Sequence, residues 1–213
     1  IQKTDDEKKK VAIIEKAINL ISNEKRLLDN LEKEDIDYLN TFQLISIKPV
    51  VYVCNVDENS AVNGNEFTKQ IDEYAKKNNS EVLLVSAKIE SEISQINDEN
   101  EKKEFLESLG LVETGLKRVI RKGYEILNYI NFFTAGEKEL RAWTIIKGSH
   151  APTAAGTIHS DMEKGFIRAE TISYNDYVEF KGETGSKEKG KLRLEGKEYL
   201  VQDGDVMHFL FNV

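Results

Sequence analysis

The sequence predicts an α/β unit with a helical arm, followed by a smaller α+β domain, and three observations lead there. Two short apolar runs, Val50 to Cys54 and Glu81 to Val85, each end in small polar residues and enclose a helical pattern of Phe67, Ile71, Tyr74 and Ala75. Upstream of them lies a Lys- and Glu-rich stretch with apolar residues at helical spacing. From Asn131 onward the composition turns to aromatic and β-branched residues punctuated by glycines.

The arm comes first, over residues 1–47. Val11, Ile14, Ile18, Ile21, Leu28 and Leu31 recur at spacings near three and four, which predicts an amphipathic, coiled-coil-like helix as one arm of an antiparallel hairpin. Ile36, Tyr38, Leu39, Phe42, Leu44, Ile45 and Ile47 predict a second short helix. The chain begins at Ile1, without an initiator methionine and inside a helical pattern, so it reads as part of a longer protein.

Residues 48–130 form the α/β part. Val50, Val51, Tyr52, Val53 and Cys54 read as a strand buried on both faces, and Glu81 to Val85 as its parallel neighbour across a βαβ crossover. In such sheets ligands bind beyond the carboxyl ends of the strands, which singles out Asn55-Val56-Asp57-Glu58 and Ser86-Ala87. A charged helix is expected from Ser91 to Leu109, stopped at Gly110, and another from about Thr114 to Asn128. The exposed Lys117, Arg118, Arg121 and Lys122 of that last helix read as a solvated face.

Residues 131–213 predict the α+β domain. Strands are expected around Phe132 and Phe133, over Leu140 to Ile146, Ile167 to Ser173, Lys191 to Leu194, Glu198 to Val201 and Val206 to Phe211. A helix from Thr153 to about Lys164 would pack across this mixed sheet.

Composition narrows the function. A net charge of −8 over 213 residues argues against general affinity for DNA or other nucleic acid, which needs a surplus of Lys and Arg. The single cysteine excludes an intramolecular disulfide, in keeping with a cytoplasmic location. No apolar run approaches the roughly 20 residues that cross a bilayer, so no membrane association is expected.

The polar ends of the two strands carry the chemistry. Asn55-Val56-Asp57-Glu58 resembles the Asn-Lys-x-Asp base-recognition motif of P-loop GTPases, and Ser86-Ala87 resembles their Ser-Ala motif. An Asn amide both donates and accepts, so Asn55 can address a purine edge or tie the two loops together. The guanine-reading Asp is replaced by the longer Glu58, and Val56 stands where a Lys stem would cover the base. Both departures weaken the case for GTP.

The runs LISIKPVVYVCNVDE, SAKIESEI, FTAGEKELRAWTI, HSDMEKGFIRAE and EGKEYLVQDGDVMHFLFNV resemble the YchF, or Obg-like, ATPase family. The resemblance implies part of a P-loop nucleotide-binding domain with a helical arm, then a TGS domain of ubiquitin-like β-grasp fold. It further implies ATP preferred over GTP, with Asn55, Val56 and Glu58 against adenine and Ser86 and Ala87 on its opposite side. Association with the ribosome, at its large subunit, is implied as well. Phosphate and Mg²⁺ contacts would come from residues outside this sequence. No Gly-x-x-x-x-Gly-Lys-[Ser/Thr] loop occurs, so the 213 residues alone are expected not to hydrolyse ATP. The rival expectation is a non-catalytic module that binds ribosome or RNA through the TGS domain.

Several near-matches are set aside. Gly185 to Lys191 imitates a phosphate loop, but Leu192 stands where a hydroxyl is required, and the stretch reads as a solvated hairpin connection. His159 and Asp161 lack a third metal ligand nearby, and His150 and His208 have no evident partner. Cys54 reads as a buried apolar residue, and Trp143 and Phe209 as core.

Overall fold

Thr4 begins the first helix of the computed structural model, which describes residues 4–136 and 139–212. Ile1, Gln2, Lys3, Glu137, Lys138 and Val213, assigned above to the arm and the C-terminal domain, lie outside the described residues. The Thr4 hydroxyl accepts from the Glu7 amide and the Glu7 carboxylate accepts from the Thr4 amide, a reciprocal cap on α1 (Asp5–Ser22). The helix ends there because Glu24 turns to a φ of 55° and the Lys25 amide donates back to the Leu20 carbonyl.

This corrects the expected seam. Leu28 and Leu31 are not on the helix; the chain folds back and packs Leu27 and Leu31 with Ala17, Leu39 and Ile47. The buried stripe of α1 is therefore Ile13, Ala17 and Leu20, while Ile18 and Ile21 are 59% and 49% exposed. α2 (Lys33–Asn40) and a 3₁₀ turn (Ile45–Ile47) then lead into the sheet.

β1 (Val51–Asn55) and β2 (Glu81–Val85) pair in parallel, from Val51 opposite Glu81 to Asn55 opposite Val85. Between them runs α3 (Glu66–Lys77), capped by Asn65, whose side chain accepts from the Thr68 amide at 3.1 Å. The expectation of two buried faces for β1 fails. Its only neighbour among the described strands is β2, so Val50 and Val53 stay 41% and 51% exposed. Phe67, Ile71 and Tyr74 of α3 are exposed as well, and Ala75 is fully buried.

The single helix expected over 91–109 is two, α4 (Ala87–Ile93) and α5 (Glu99–Ser108). Asp98 makes the break, its Oδ1 accepting from the amides of Asn100 and Glu101. Gly110 does stop α5, with a φ of 72° and the Leu111 amide returning to the Leu106 carbonyl. A small core of Ala61, Ile89, Ile93 and Leu106 lies between these elements, and α6 (Gly115–Ile126) follows.

The chain divides into two compact units, Ile1–Val119 and Ile120–Val213. The second contains β3 (Tyr129–Ala135), β4 (Leu140–Ile146), α7 (Ala151–Ile158), α8 (Ser160–Lys164) and β5 (Phe166–Ser173). After them come α9 (Tyr174–Glu179), α10 (Glu183–Glu188), β6 (Arg193–Glu195) and β7 (Asp205–Phe211). The sheet order is β4-β3-β7-β5-β6; β3 and β7 run parallel and the other neighbours antiparallel.

The expected cross-sheet helix is broken at His159, whose extended backbone (φ −158°, ψ 140°) separates α7 from α8. The interior joins α7 to the sheet through Ala151, Ala154 and Ala155, all fully buried, against Phe132, Phe166 and Phe209. Alanines let the helix axis approach the sheet closely, and Phe132 meets Phe209 edge-on at 5.7 Å between centroids. The expected strand over 198–201 is reduced to one bridge, His150 to Leu200.

Candidate nucleotide-base site

β1 and β2 end level with each other, and this register brings the two predicted motifs together. Beyond Asn55, the Val56 amide donates to the Val85 carbonyl at 2.8 Å, extending the ladder by one residue. The Asn55 side-chain Oδ1 then accepts from the Ala87 amide at 3.0 Å. That bond uses the oxygen, leaving the Asn55 NH₂ as a donor at the rim. Ser86, only 3% exposed, follows β2 and stands at the N-cap of α4, and its buried Oγ has no hydrogen-bond partner.

On the facing loop, Asp57 caps a 3₁₀ turn (Glu58–Ser60) by accepting from the Ser60 amide at 2.9 Å. Asp57 is thus a structural member of the tetrad, and its neighbour Glu58 is the carboxylate left over. Glu58 forms an ion pair with Lys88, in the first turn of α4, so the two loops are joined a second time. The hydrogen bond from Lys88 is the main cause that lowers the Glu58 pKa below its ordinary value, and the same bond raises that of Lys88.

Spacing alone did not reveal Lys88, because its partner lies far away in the sequence. Glu90 was missed too: it accepts from the amides of Gly115 at 2.6 Å and Leu116 at 3.2 Å, capping α6. Gly115 is required there, since a Cβ would stand 2.9 Å from Val85 Cγ1. The assembled edge offers the Asn55 side-chain NH₂ and a charged pair around the ends of two parallel strands, an arrangement suited to a flat heterocycle with both donors and acceptors.

Residues 129–212 match the YchF-GTPase C-terminal family, whose description is "protein of unknown function (DUF933)". Over 204 residues the chain is 49% identical to the ribosome-binding ATPase YchF of Haemophilus influenzae, covering 95% of this chain and 56% of that protein. It is 52% identical over 183 residues to the Bacillus subtilis protein of the same name, covering 85% and 50% respectively. The solved Schizosaccharomyces pombe YchF GTPase superposes with a TM-score of 0.81 at 31% identity, over 96% of this chain and 55% of that one. The chain belongs to the YchF family. It spans about half the length of the relatives that it matches.

In this YchF chain the imitation phosphate loop is explained by packing, and the hairpin connection expected there is corrected. Glu183–Glu188 is a helical turn and a half, α10, in which the fully buried Ser186 donates to the Gly182 carbonyl at 2.8 Å. Gly185 sits where a Cβ would meet the Phe180 carbonyl oxygen at 2.0 Å, so the glycine serves close approach. His159 caps α8, its Nδ1 accepting from the Asp161 amide at 3.2 Å.

Trp143 packs on the YchF C-terminal core, donating to Thr134 Oγ1 at 3.0 Å, and the Arg141 guanidinium lies 4.1 Å from its ring centroid. Phe209 is in the core, whereas Cys54 is only half-buried. Among the described residues no group of three or more His, Cys, Asp or Glu is placed to hold a metal ion. No helix there is long and apolar enough to cross a membrane.

Proposed function

We propose that this chain supplies the base-recognition part of a YchF-type nucleotide-binding ATPase, with ATP preferred over GTP, together with a domain for association with the ribosome. The observation that carries this reading is the Asn55 to Ala87 hydrogen bond, which locks the two motif loops together at the ends of parallel strands. Asn55, Val56 and Glu58 take one side of the adenine, and Ser86 and Ala87 the other.

Phosphate and Mg²⁺ contacts are assigned to a part of the protein beyond these residues, and no step is derived through the metal. Residues 1–47 are read as the returning arm of a helical hairpin, 48–130 as half of the nucleotide-binding domain and 131–213 as a TGS domain. The strand order β4-β3-β7-β5-β6, with only the β3–β7 pair parallel, supports a β-grasp assignment for the last.

Ribosome association rests on the relatives, which are named ribosome-binding ATPases. The large subunit is the proposed contact and the cytoplasm the proposed location. The acidic surplus lies almost wholly in residues 1–119, and the second unit is close to charge balance, which favours that unit as the surface that meets RNA.

The test is a titration of the 213-residue chain with AMP and GMP, followed in amide nitrogen–proton correlation spectra. Millimolar AMP should shift the amides of residues 56–58 and 86–88, GMP should do so more weakly, and Asn55→Ala should remove the response. Shifts scattered over both units, or a response untouched by Asn55→Ala, would overturn the assignment.

A further inference from the structure

We propose that Lys88 sets base preference together with Glu58, so that the pair reads adenine and turns guanine away. The inference rests on the base-site reading above and adds to it a determinant outside both motifs. Guanine presents two neighbouring donors, its ring N–H and its exocyclic amine, and a carboxylate reads them when both oxygens are free to accept. Here the Lys88 ammonium already occupies Glu58 Oε1. Guanine would have to displace the ammonium or meet it N–H to N–H.

Adenine presents one donor, its exocyclic amine, beside one acceptor, the ring nitrogen. The Glu58–Lys88 pair offers the complementary set, one carboxylate oxygen still accepting and one ammonium N–H still donating.

The pair is held from both sides. Asp57 fixes the turn on which Glu58 sits, through the Ser60 amide, and the Asn55 bond to the Ala87 amide fixes the start of the helix that carries Lys88. The two side chains therefore meet across the mouth between the loops without disturbing either backbone. Glu58 and Lys88 are 34% and 66% exposed at their side chains, so substitution at Lys88 leaves the fold intact.

The experiment compares AMP and GMP on the full chain and on Lys88→Met, which keeps the aliphatic stem and removes the charge. The amides of residues 56–58 and 86–88 are the reporters. Lys88→Met should shift the GMP-to-AMP affinity ratio about tenfold toward GMP, as the freed carboxylate gains a pair of charge-assisted bonds. Glu58→Gln added to Lys88→Met should cancel that gain, and Lys88→Arg should restore the preference for AMP. An unchanged ratio in Lys88→Met, with both nucleotides still shifting the reporters, overturns the role of Lys88 and leaves the base site standing. If neither nucleotide shifts them in the unaltered chain, the base site itself fails and this inference with it.

Discussion

The two units differ in how their apolar residues are gathered and in the polar contacts that each holds. In the second unit Asp205 is 2% exposed, yet its carboxylate accepts from Tyr199 at 2.6 Å, from the Gln202 amide at 2.9 Å and from Arg193 at 3.3 Å. Ser86 in the first unit is buried almost as deeply, and its hydroxyl has no partner, as is true of the fully buried Thr171 hydroxyl in β5 of the second. The clustering of the apolar residues separates the units more clearly. The second unit gathers one core around Phe132, Phe166 and Phe209, whereas the first has two smaller clusters, and both leave large apolar side chains exposed, Val53 and Phe67 in the first and Leu140 and Ile167 in the second. The part-buried Asp205 network, packed beside a single core through Tyr199, is architecture. The Asn55–Ala87 bond and the Glu58–Lys88 pair at the ends of two parallel strands mark a surface arranged for something else.

The strongest way to break that contrast is Phe132→Ala. Phe132 is fully buried and meets Phe209 edge-on, so the substitution should cost about 3–5 kcal/mol. Hydrogen exchange should show the loss in β3, β5 and β7. Equal loss of protection in β1 and β2 would show that the core is not confined to the second unit.

Next comes Asp205→Asn, which keeps the shape and removes the charge that three donors share. Because Arg193 is half-exposed, the cost should be about 2 kcal/mol in urea denaturation, below that of a fully buried pair. A neutral result would mean that the network is ornamental. Asn55→Ala sharpens the comparison from the other side. It removes one partly exposed bond between loops and should cost about 1 kcal/mol, so its loss of AMP response should far exceed its effect on folding.

The sequence was legible where local chemistry and tertiary demand agree. Glu81 to Val85 is a strand with the expected ends, and Asn55 and Ala87 meet as the paired motifs imply. It misled where two local solutions were equally good. In α1, Ile14, Ile18 and Ile21 form as regular a stripe as Ile13, Ala17 and Leu20, and only the chain folding back at Glu24 selects the second. α9 and α10 were missed because each is only six residues long, too short to show a helical period, and Gly185 in α10 reads as loop although it is there to let the helix approach the Phe180 carbonyl. Glu58 and Lys88 carry no signal at all as a pair, since no periodicity links two separate loops.

The finest distinction between the units lies in how their charged contacts respond to pH. Burial, reinforced by the hydrogen bond to Asp205, pushes the Tyr199 hydroxyl from 10.0 up to about 12. Its contribution to stability is therefore complete below pH 10 and is lost as pH rises through about 12. An ultraviolet phenolate titration should show a step near pH 12 for Tyr199, and Asp205→Asn should bring that step down toward 10. The Glu58–Lys88 pair behaves in the reverse sense at the acid end: its lowered carboxylate holds the pair together down through the ordinary carboxylate range, and the contact is lost only below it. That pair is open to solvent, so salt should weaken it while leaving the Tyr199 titration nearly unmoved. If salt shifts both alike, the buried network of the second unit is as solvated as the surface pair of the first, and the contrast between architecture and site does not hold.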